Sequence, residues 1–290
     1  MDIRKRDLLT AGLGIGVGLG VGAGVAGLRQ GKTAPAIVPA APPAAGVPQR
    51  RVRTTSLYKS PEGFPNGLAA SPEGLWIGEQ KGPDATDKSE KAMLVDWETG
   101  KLLRTVVTES RNTSGMAYGG GYIWMGANAD PQGFFQTDMD SRTISHRQIP
   151  LGQADNGSGT HGALYHEGKI WIVANRLRGI LRVDAESWQP EFMISFPYAR
   201  WHDVAWDNGA IWMVTGTSNV IPENQAGLAK YDAATGRLLE TALFEPGSCD
   251  PHGLEMHNGV LYTCDAGIAP GFIDSGSPTS RDICRIEFVT

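Results

Sequence analysis

The sequence contains little of what marks redox, small zinc-binding or nucleic-acid-binding proteins. It has three cysteines and no Cys-x-x-Cys pair, and the short Cys and His spacings of small zinc domains are missing. We recognise no Cys-x-x-Cys-His haem motif and no dinucleotide-binding unit, so neither haem nor a nucleotide is expected as a cofactor. The net charge of −5, with no basic cluster beyond residue 53, argues against a nucleic-acid partner.

Charge is also missing from one stretch near the N-terminus. Leu8–Leu28 is apolar and glycine-rich, follows a basic start, and precedes a small-x-small cleavage site at residues 34–36. We therefore predict an export signal over residues 1–36 and a periplasmic or extracellular protein. Lys5 and Arg6 resemble the twin-arginine signal, with lysine in place of the first arginine, which implies that export machinery binds the precursor. An uncleaved N-terminal membrane anchor is the alternative, since an apolar run of this length just spans a bilayer.

Glycine and tryptophan are abundant, with 38 and 8 residues. Glycine in turns and tryptophan in strands at regular spacing predict an all-β repeat protein. Five times, a polar residue stands ten positions before an aromatic residue, with a turn between them. The pairs are Asn66 and Trp76, Ser114 and Trp124, His161 and Trp171, His202 and Trp212, and His252 and Tyr262. Five hairpins in one register indicate five repeated units.

Each hairpin continues into two further predicted strands, so each unit reads as a four-stranded antiparallel propeller blade. The fifth unit lacks a fourth strand, whereas Thr54–Ser60 is a strand without a unit. Pairing it with Ile283–Val289 would close the ring and remove the free sheet edges. We predict a monomeric five-bladed β-propeller over residues 53–290, preceded by an Ala/Pro-rich linker over residues 37–52.

Two resemblances to known families support this fold. Asn66–Gln80 resembles the repeat of virginiamycin B lyase and related NHL/YVTN-type propellers, and the Asp-x-x-Thr-Gly turns are shared with that superfamily. Virginiamycin B lyase is a seven-bladed, metal-dependent enzyme that opens a cyclic ester by elimination. This chain is too short for seven blades, so the catalytic residues of that enzyme are not carried over by position. Leu75–Gly82 is similar to a segment of five-bladed plant-type glutamine cyclotransferases and puts Glu79 near the acid residue of that family.

In a propeller, the residues that open the innermost strands meet at one mouth of the central channel. We call these five the ring residues: Asn66, Ser114, His161, His202 and His252. Three imidazoles converging there suit a divalent transition metal, with zinc, iron, copper and manganese all left open. The alternatives are structural histidines that bond loop backbone, and a metal-free catalytic or substrate-binding role.

A second set of polar residues is expected at the same mouth. Glu79 and Asp265 each stand three positions after the aromatic residue and are predicted as the general base or a further metal ligand. The predicted substrate-binding residues are Asn66, Ser114, Asn128, Asn175, Trp201 and Arg176. For the asparagines the alternative is capping of nearby backbone, for Trp201 packing between blades, and for Arg176 a solvated surface charge.

The first functional hypothesis is an exported lyase or hydrolase that acts on a small molecule through a metal held by His161, His202 and His252. A non-catalytic ligand- or protein-binding propeller is the second hypothesis, and a copper or iron redox protein is the third. In an exported protein two of the three cysteines could form a disulfide, for example Cys249 and Cys264. Buried, unpaired thiols are the alternative.

Overall fold

The computed structural model describes residues 34–39, 46–82, 84–151, 160–196, 201–216 and 226–289. Within these ranges every regular element is a β-strand, so the expected all-β class is confirmed. The same residues include no helix that is long and apolar enough to cross a membrane. Residues 1–33 of the predicted export signal and residues 40–45 of the predicted linker lie outside the described residues.

Two strands come first in the chain, β1 (Ala36–Val38) and β2 (Gln49–Lys59). Three antiparallel units follow, and in each the strands are hydrogen-bonded in chain order. The first contains β3 (Phe64–Ser71), β4 (Gly74–Gln80), β5 (Glu90–Val95) and β6 (Leu102–Thr108). The second contains β7 (Thr113–Gly119), β8 (Tyr122–Ala127), β9 (Gly133–Thr137) and β10 (Thr143–Arg147). The third contains β11 (Thr160–His166), β12 (Lys169–Ala174), β13 (Gly179–Asp184) and β14 (Pro190–Ser195).

The remaining strands belong to one eight-stranded sheet and a small hairpin. The strands are β15 (Asp203–Asp207), β16 (Ala210–Thr215), β17 (Gly227–Asp232), β18 (Leu238–Phe244), β19 (Pro251–His257), β20 (Val260–Asp265), β21 (Ile268–Ala269), β22 (Ile273–Asp274) and β23 (Asp282–Val289). The order in the large sheet is β15-β16-β17-β18-β2-β23-β20-β19. β21 and β22 pair only with each other, inside the long connection before β23.

The residues at the turns explain why the chain forms hairpins at these positions. Four two-residue turns have positive φ at both positions, at Gly120-Gly121, Glu167-Gly168, Asn208-Gly209 and Asn258-Gly259. Such turns match the right-handed twist of the flanking strands, and glycine and asparagine reach positive φ at the lowest cost. The turns after the third strands depend instead on aspartate. Asp232 Oδ1, for example, accepts bonds from the Thr235 backbone N–H and hydroxyl, both at 2.7 Å.

The expected pairing between the N-terminal strand and the last strand is present. β2 pairs antiparallel with β23, with Thr54 opposite Ile286. β2 also starts earlier than the sequence pattern suggested, at Gln49, because Gln49 to Val52 pair in parallel with β18. β1 likewise pairs in parallel with β14. The predicted linker therefore has strand structure at both ends, because unpaired outer edges of β14 and β18 are available to bond it.

The first strands of the repeated hairpins form the inner circle of the molecule. β3 contacts β7, β7 contacts β11, β11 contacts β15, β15 contacts β19, and β19 contacts β3. The hairpin tryptophans lie one strand further out and are buried, Trp171 with 2% of its surface exposed. They belong to apolar clusters that join neighbouring units, as expected for core residues. Sheets radiating from a closed circle of inner strands are the arrangement of a β-propeller.

Candidate functional site

Four of the five ring residues lie at β-bulges at the start of an innermost strand. The strand register shifts between Pro65 and Leu68 in β3, and the same shift occurs at the start of β7, β11 and β19. Each bulge contains a ring residue followed by glycine, at Asn66-Gly67, Ser114-Gly115, His161-Gly162 and His252-Gly253. A bulge redirects a side chain at a sheet edge. In these four units the repeated pattern therefore places one polar side chain at the same end of the inner circle.

The glycines let the inner strands approach closely. A Cβ on Gly67 would lie 2.8 Å from the Met116 backbone nitrogen, and one on Gly115 would lie 2.5 Å from the His161 carbonyl oxygen. Both distances are too short for a side chain, so glycine is required where one inner strand passes the next. The close approach brings the ring residues of neighbouring units into contact.

Three imidazoles form one side of the mouth. The ring centroids of His202 and His252 are 4.2 Å apart, and those of His161 and His202 are 5.7 Å apart in an edge-to-face arrangement. His161 and His202 are buried, with 5% and 4% of their surfaces exposed, and His252 is half-buried. The structure therefore brings the three predicted histidines together.

His252 is oriented by the chain just before it. Its Nδ1 lies 3.1 Å from the carbonyl oxygen of Asp250. A carbonyl only accepts hydrogen bonds, so Nδ1 carries a proton and Nε2 is the nitrogen left for other contacts. The backbone N–H of Asp250 points to Asp265 Oδ2 at 3.4 Å, which links the imidazole and the carboxylate through one residue.

Asp265 is a buried carboxylate beside this imidazole. Its oxygens accept bonds from Gly267 N–H at 2.8 Å and from the Thr279 hydroxyl at 2.7 Å. Burial raises the pKa of Asp265, while these two hydrogen bonds and the charge of His252 oppose the rise. The predicted base is therefore held next to a predicted histidine.

Asp250 is a site residue that the sequence pattern did not single out. A Cβ on Gly216 would lie 2.5 Å from Asp250 Oδ1 and 3.3 Å from His202 Nε2, so both atoms flank the same glycine. The Asp250 carboxylate thus lies near His202, and the Asp250 carbonyl accepts a hydrogen bond from His252. Its position two residues before His252 was the available signal, but the connections between units do not follow the repeat.

Glu79, the other predicted base, has different neighbours. It is buried, its Oε2 lies 3.8 Å from Lys81 Nζ, and its side chain covers Gly63. Burial raises the pKa of Glu79, and the charges of Lys81 and Lys91 oppose the rise. Of the two carboxylates, Asp265 is the one on which a histidine charge acts.

Amide and hydroxyl groups form the opposite side of the mouth. Asn66 Nδ2 donates to Gln80 Oε1 at 2.6 Å, and Gln80 Nε2 donates to Asn112 Oδ1 at 2.7 Å. The Ser114 hydroxyl lies 3.5 Å from both of these amide nitrogens. Gln80 and Asn112 were missed from the sequence, although Gln80 directly follows Glu79. They connect the two predicted ring residues into one polar network.

The asparagines at the ends of second strands hold the backbone of the next unit. Asn128 Oδ1 accepts from the Thr160 hydroxyl at 2.7 Å. Asn175 bonds both backbone groups of Trp201, with Nδ2 to the carbonyl at 2.8 Å and Oδ1 to the N–H at 2.9 Å. These contacts match the capping alternative, because the amides position the residue that precedes His161 or His202.

Trp201 and Arg176, the other two predicted substrate contacts, differ in burial. Trp201 is fully buried in the apolar cluster that contains Phe196, with the two rings edge to face at 6.1 Å. This burial matches the alternative of packing between blades, since the side chain has no exposed surface. Arg176 is half-buried in the turn that the Arg178 N–H closes on the Asn175 carbonyl at 3.1 Å.

The three histidines outside the ring pack on aromatic side chains. His166 stacks on Trp206 at 3.8 Å and His257 on Trp97 at 4.2 Å, both at the opposite ends of their strands from the ring residues. His146 contacts Phe135. These contacts account for the three residues as structural groups.

The arrangement of potential ligands bears on the predicted metal site. In the ranges that the structure describes, no group of three or more His, Cys, Asp or Glu side chains is arranged to hold a metal ion. Nδ1 of His252 is bonded to a carbonyl, which leaves Nε2 as its other ring nitrogen. The assignment of a metal to these three histidines stays a prediction.

Comparison with known proteins yields structural neighbours alone. No family model matches the sequence, and no curated protein matches it. A glutaminyl cyclase from Myxococcus xanthus is similar in structure, with a TM-score of 0.54 and 11% identity over 83% of this chain and 100% of that chain. A hydrazine synthase from Kuenenia stuttgartiensis follows with a TM-score of 0.47 and 12% identity over 80% and 64%. The likeness to the glutaminyl cyclase supports the β-propeller fold, which is as far as identity at this level reaches.

Proposed function

We propose that the chain is a small-molecule enzyme of the lyase or hydrolase type, with its active site at the mouth of the propeller channel. The observation that carries the proposal is the pair His202 and His252, whose ring centroids are 4.2 Å apart, with the buried Asp265 linked to His252 through the backbone of Asp250. Perturbed carboxyl groups beside imidazoles in a concave site are typical of acid–base catalysis. The glutaminyl cyclase neighbour is an enzyme on a similar fold and supports the enzyme class in general terms.

The groups divide the chemistry between two sides of the mouth. His252, with Nδ1 held by the Asp250 carbonyl, presents Nε2 as the base that takes a proton from water or from a carbon next to a carbonyl. Asp265 stabilises the imidazolium that forms. On the other side, the amides of Asn66 and Gln80 and the hydroxyl of Ser114 provide polar contacts to the substrate.

The proposal includes an architecture of five blades with four strands each, in which β2 is the outer strand of the last blade. Five innermost strands in mutual contact and the pairing of β2 with β23 support that count. The contacts of His202 with His161 and His252, and of Asn66 with Ser114, support a site in which neighbouring ring residues reach one small substrate.

A metal-dependent version of the same site is the second candidate. The centroid spacings of 4.2 and 5.7 Å favour it, because they place His161, His202 and His252 next to one another. In that version the three histidines would hold a divalent transition metal, which would supply Lewis acidity at the mouth. Elemental analysis of the chelator-washed protein, beside a variant with all three histidines changed to Ala, decides between the versions: one equivalent of metal in the parent alone supports the metal version.

A substrate panel tests the enzyme proposal. Lactones, cyclic and nitrophenyl esters, β-elimination substrates and N-terminal glutaminyl peptides are incubated with the parent, His252→Ala and Asp265→Asn. His257→Ala and His166→Ala are matched controls, because these rings stack on tryptophan at the far ends of their strands. We expect turnover in the parent and controls and a loss of 10²- to 10⁴-fold, on the order expected for a general base, in the site variants. Retained binding of a panel compound with no turnover in any arm would instead favour a non-catalytic binding propeller.

We also propose that the protein is exported, on the sequence of residues 1–36 alone. N-terminal sequencing of the secreted or periplasmic protein tests this, and a start near residue 37 is the expected result.

A further inference from the structure

Two of the three cysteines, Cys249 and Cys284, lie at the place where β2 pairs with β23. Cys284 lies in β23 opposite Ser56 of β2, and its Sγ is 3.8 Å from the Ser56 hydroxyl. Residues two apart in a strand share a face. Thr54, two positions before Ser56, therefore presents its hydroxyl on the same face as Cys284.

Cys249 is tied to that face by its backbone. Its N–H donates to the Thr54 hydroxyl at 2.9 Å, which anchors the connection between β18 and β19 on β2. The neighbouring Cys284 thiol is the first cause of the raised pKa of Cys249, which indicates that the two thiols lie near each other. Both residues are buried, with 2% and 0% of their surfaces exposed. The pair therefore lies where the connection between β18 and β19 meets β2 and β23.

The third cysteine is on the other face of the same sheet. Cys284 is opposite Thr263 in β20, whereas Cys264 is opposite Ile283. Successive side chains alternate between faces, so the Cys264 and Cys284 thiols point in opposite directions. Cys264 packs with Leu68 and Leu75, and its Sγ lies 3.1 Å from the Gly253 N–H. A bridge from Cys249 to Cys264, one option from the sequence, would have to pass through the sheet.

We propose that Cys249 and Cys284 form a disulfide that fastens the closure of the propeller. In the step, the two thiols react with an oxidised low-molecular-weight disulfide such as glutathione disulfide. The sulfur–sulfur bond of the oxidant breaks, a sulfur–sulfur bond forms between Cys249 and Cys284, and the two thiol protons leave on two molecules of reduced glutathione. Both residues are closed to solvent in the folded chain, so the bond forms during folding, before the connection docks on Thr54.

The test uses the full chain, refolded from denaturant in a glutathione redox buffer and, separately, purified without refolding from an oxidising compartment. Free thiols are alkylated under denaturing conditions without reduction and counted by intact mass. Digestion combines trypsin with a glutamyl endopeptidase, because trypsin leaves Cys249 and Cys264 in one peptide and cleavage after Glu255 separates them. Cys264→Ser and Cys249→Ser are the paired variants.

We expect one alkylated thiol per chain, at Cys264, and a linked peptide pair that contains Cys249 and Cys284. Cys264→Ser keeps the link and Cys249→Ser loses it. Reduction is expected to lower the Tm of the parent on the order of 10 °C, as for a bridge that closes a loop of this length, and to leave the Tm of Cys249→Ser unchanged. Three alkylated thiols in folded protein from both preparations, or a link that involves Cys264, would overturn the proposal.

Discussion

The Oδ1 atom of Asp203 occupies the space that a Cβ on Gly162 would need. Asp203 stands after His202 where the other four units have glycine after the ring residue. Its carboxyl group accepts from the Val204 N–H at 2.9 Å and the Leu254 N–H at 3.0 Å. One buried side chain thus bonds the inner edges of β15 and β19 and rests on β11. It therefore ties three neighbouring inner strands together, next in the chain to His202.

Substitution of Gly162 by Ala is expected to destabilise the fold. The new methyl group overlaps a carboxyl group that is itself bonded to two strands, so neither side can move freely. We expect a loss of about 1–3 kcal/mol in the free energy of unfolding, as for other overpacked cores. Urea unfolding measures it. Gly168→Ala is the control, because a Cβ there has nothing within 4 Å and only the positive φ of 76° opposes it. A loss at 162 no larger than that at 168 would contradict the close packing of the channel.

Glu90 gives the stability a pH dependence. Burial raises the pKa of Glu90 from 4.5 to about 7, even though its oxygens accept N–H bonds from Lys81, Asn112 and Thr113. The folded chain therefore holds the proton more tightly than the unfolded chain. This contribution is complete below pH 4.5 and is lost as the pH rises to 7, with a size of about 3 kcal/mol.

The measurement is the free energy of unfolding of the parent and Glu90→Gln between pH 4.5 and 7.5. The parent should lose stability across this window, and the variant should lose less. Burial also raises the pKa of Glu255 to about 7, so some slope should persist in Glu90→Gln. Equal slopes in the two proteins would show that Glu90 titrates normally.

Asn175→Ala separates a structural role from substrate binding. The change removes two hydrogen bonds to the backbone of Trp201, and we expect the free energy of unfolding to fall by about 1–3 kcal/mol. The emission of the buried Trp201 should also shift to the red as its surroundings open. A substrate-binding asparagine would behave differently: its loss would weaken binding of a panel ligand while stability stayed within about 0.5 kcal/mol of the parent.

The repeat made much of the fold and the ring predictable. Hairpin turns such as Asn208-Gly209 are local, and the ten-residue offset from His252 to Tyr262 recurs in every unit, so the ring residues could be aligned without a structure. The pairing of β2 with β18 was not predictable, because it depends on a free outer edge far away in the chain.

The residues that the sequence missed lie where the repeat is broken. Asp203 replaces a glycine, and Asp250 belongs to a connection between units, so neither has counterparts to align with. For Trp201 the sequence left a ligand wall and packing between blades both open, because burial cannot be read from its position before His202. The proximity of Cys249 and Cys284 depends on how β2 and β23, which are far apart in the chain, pair with each other.

The imidazoles at the mouth, and not those at the far ends of the same strands, are expected to carry the activity. The most direct test compares kcat/KM of His252→Ala and His257→Ala on whichever panel substrate the parent turns over. The two residues lie in the same strand, five positions apart, so the fold is disturbed in the same unit. We predict a loss of at least about 100-fold for His252→Ala and a value near that of the parent for His257→Ala. Equal activity of the two variants would contradict an active site at the channel mouth.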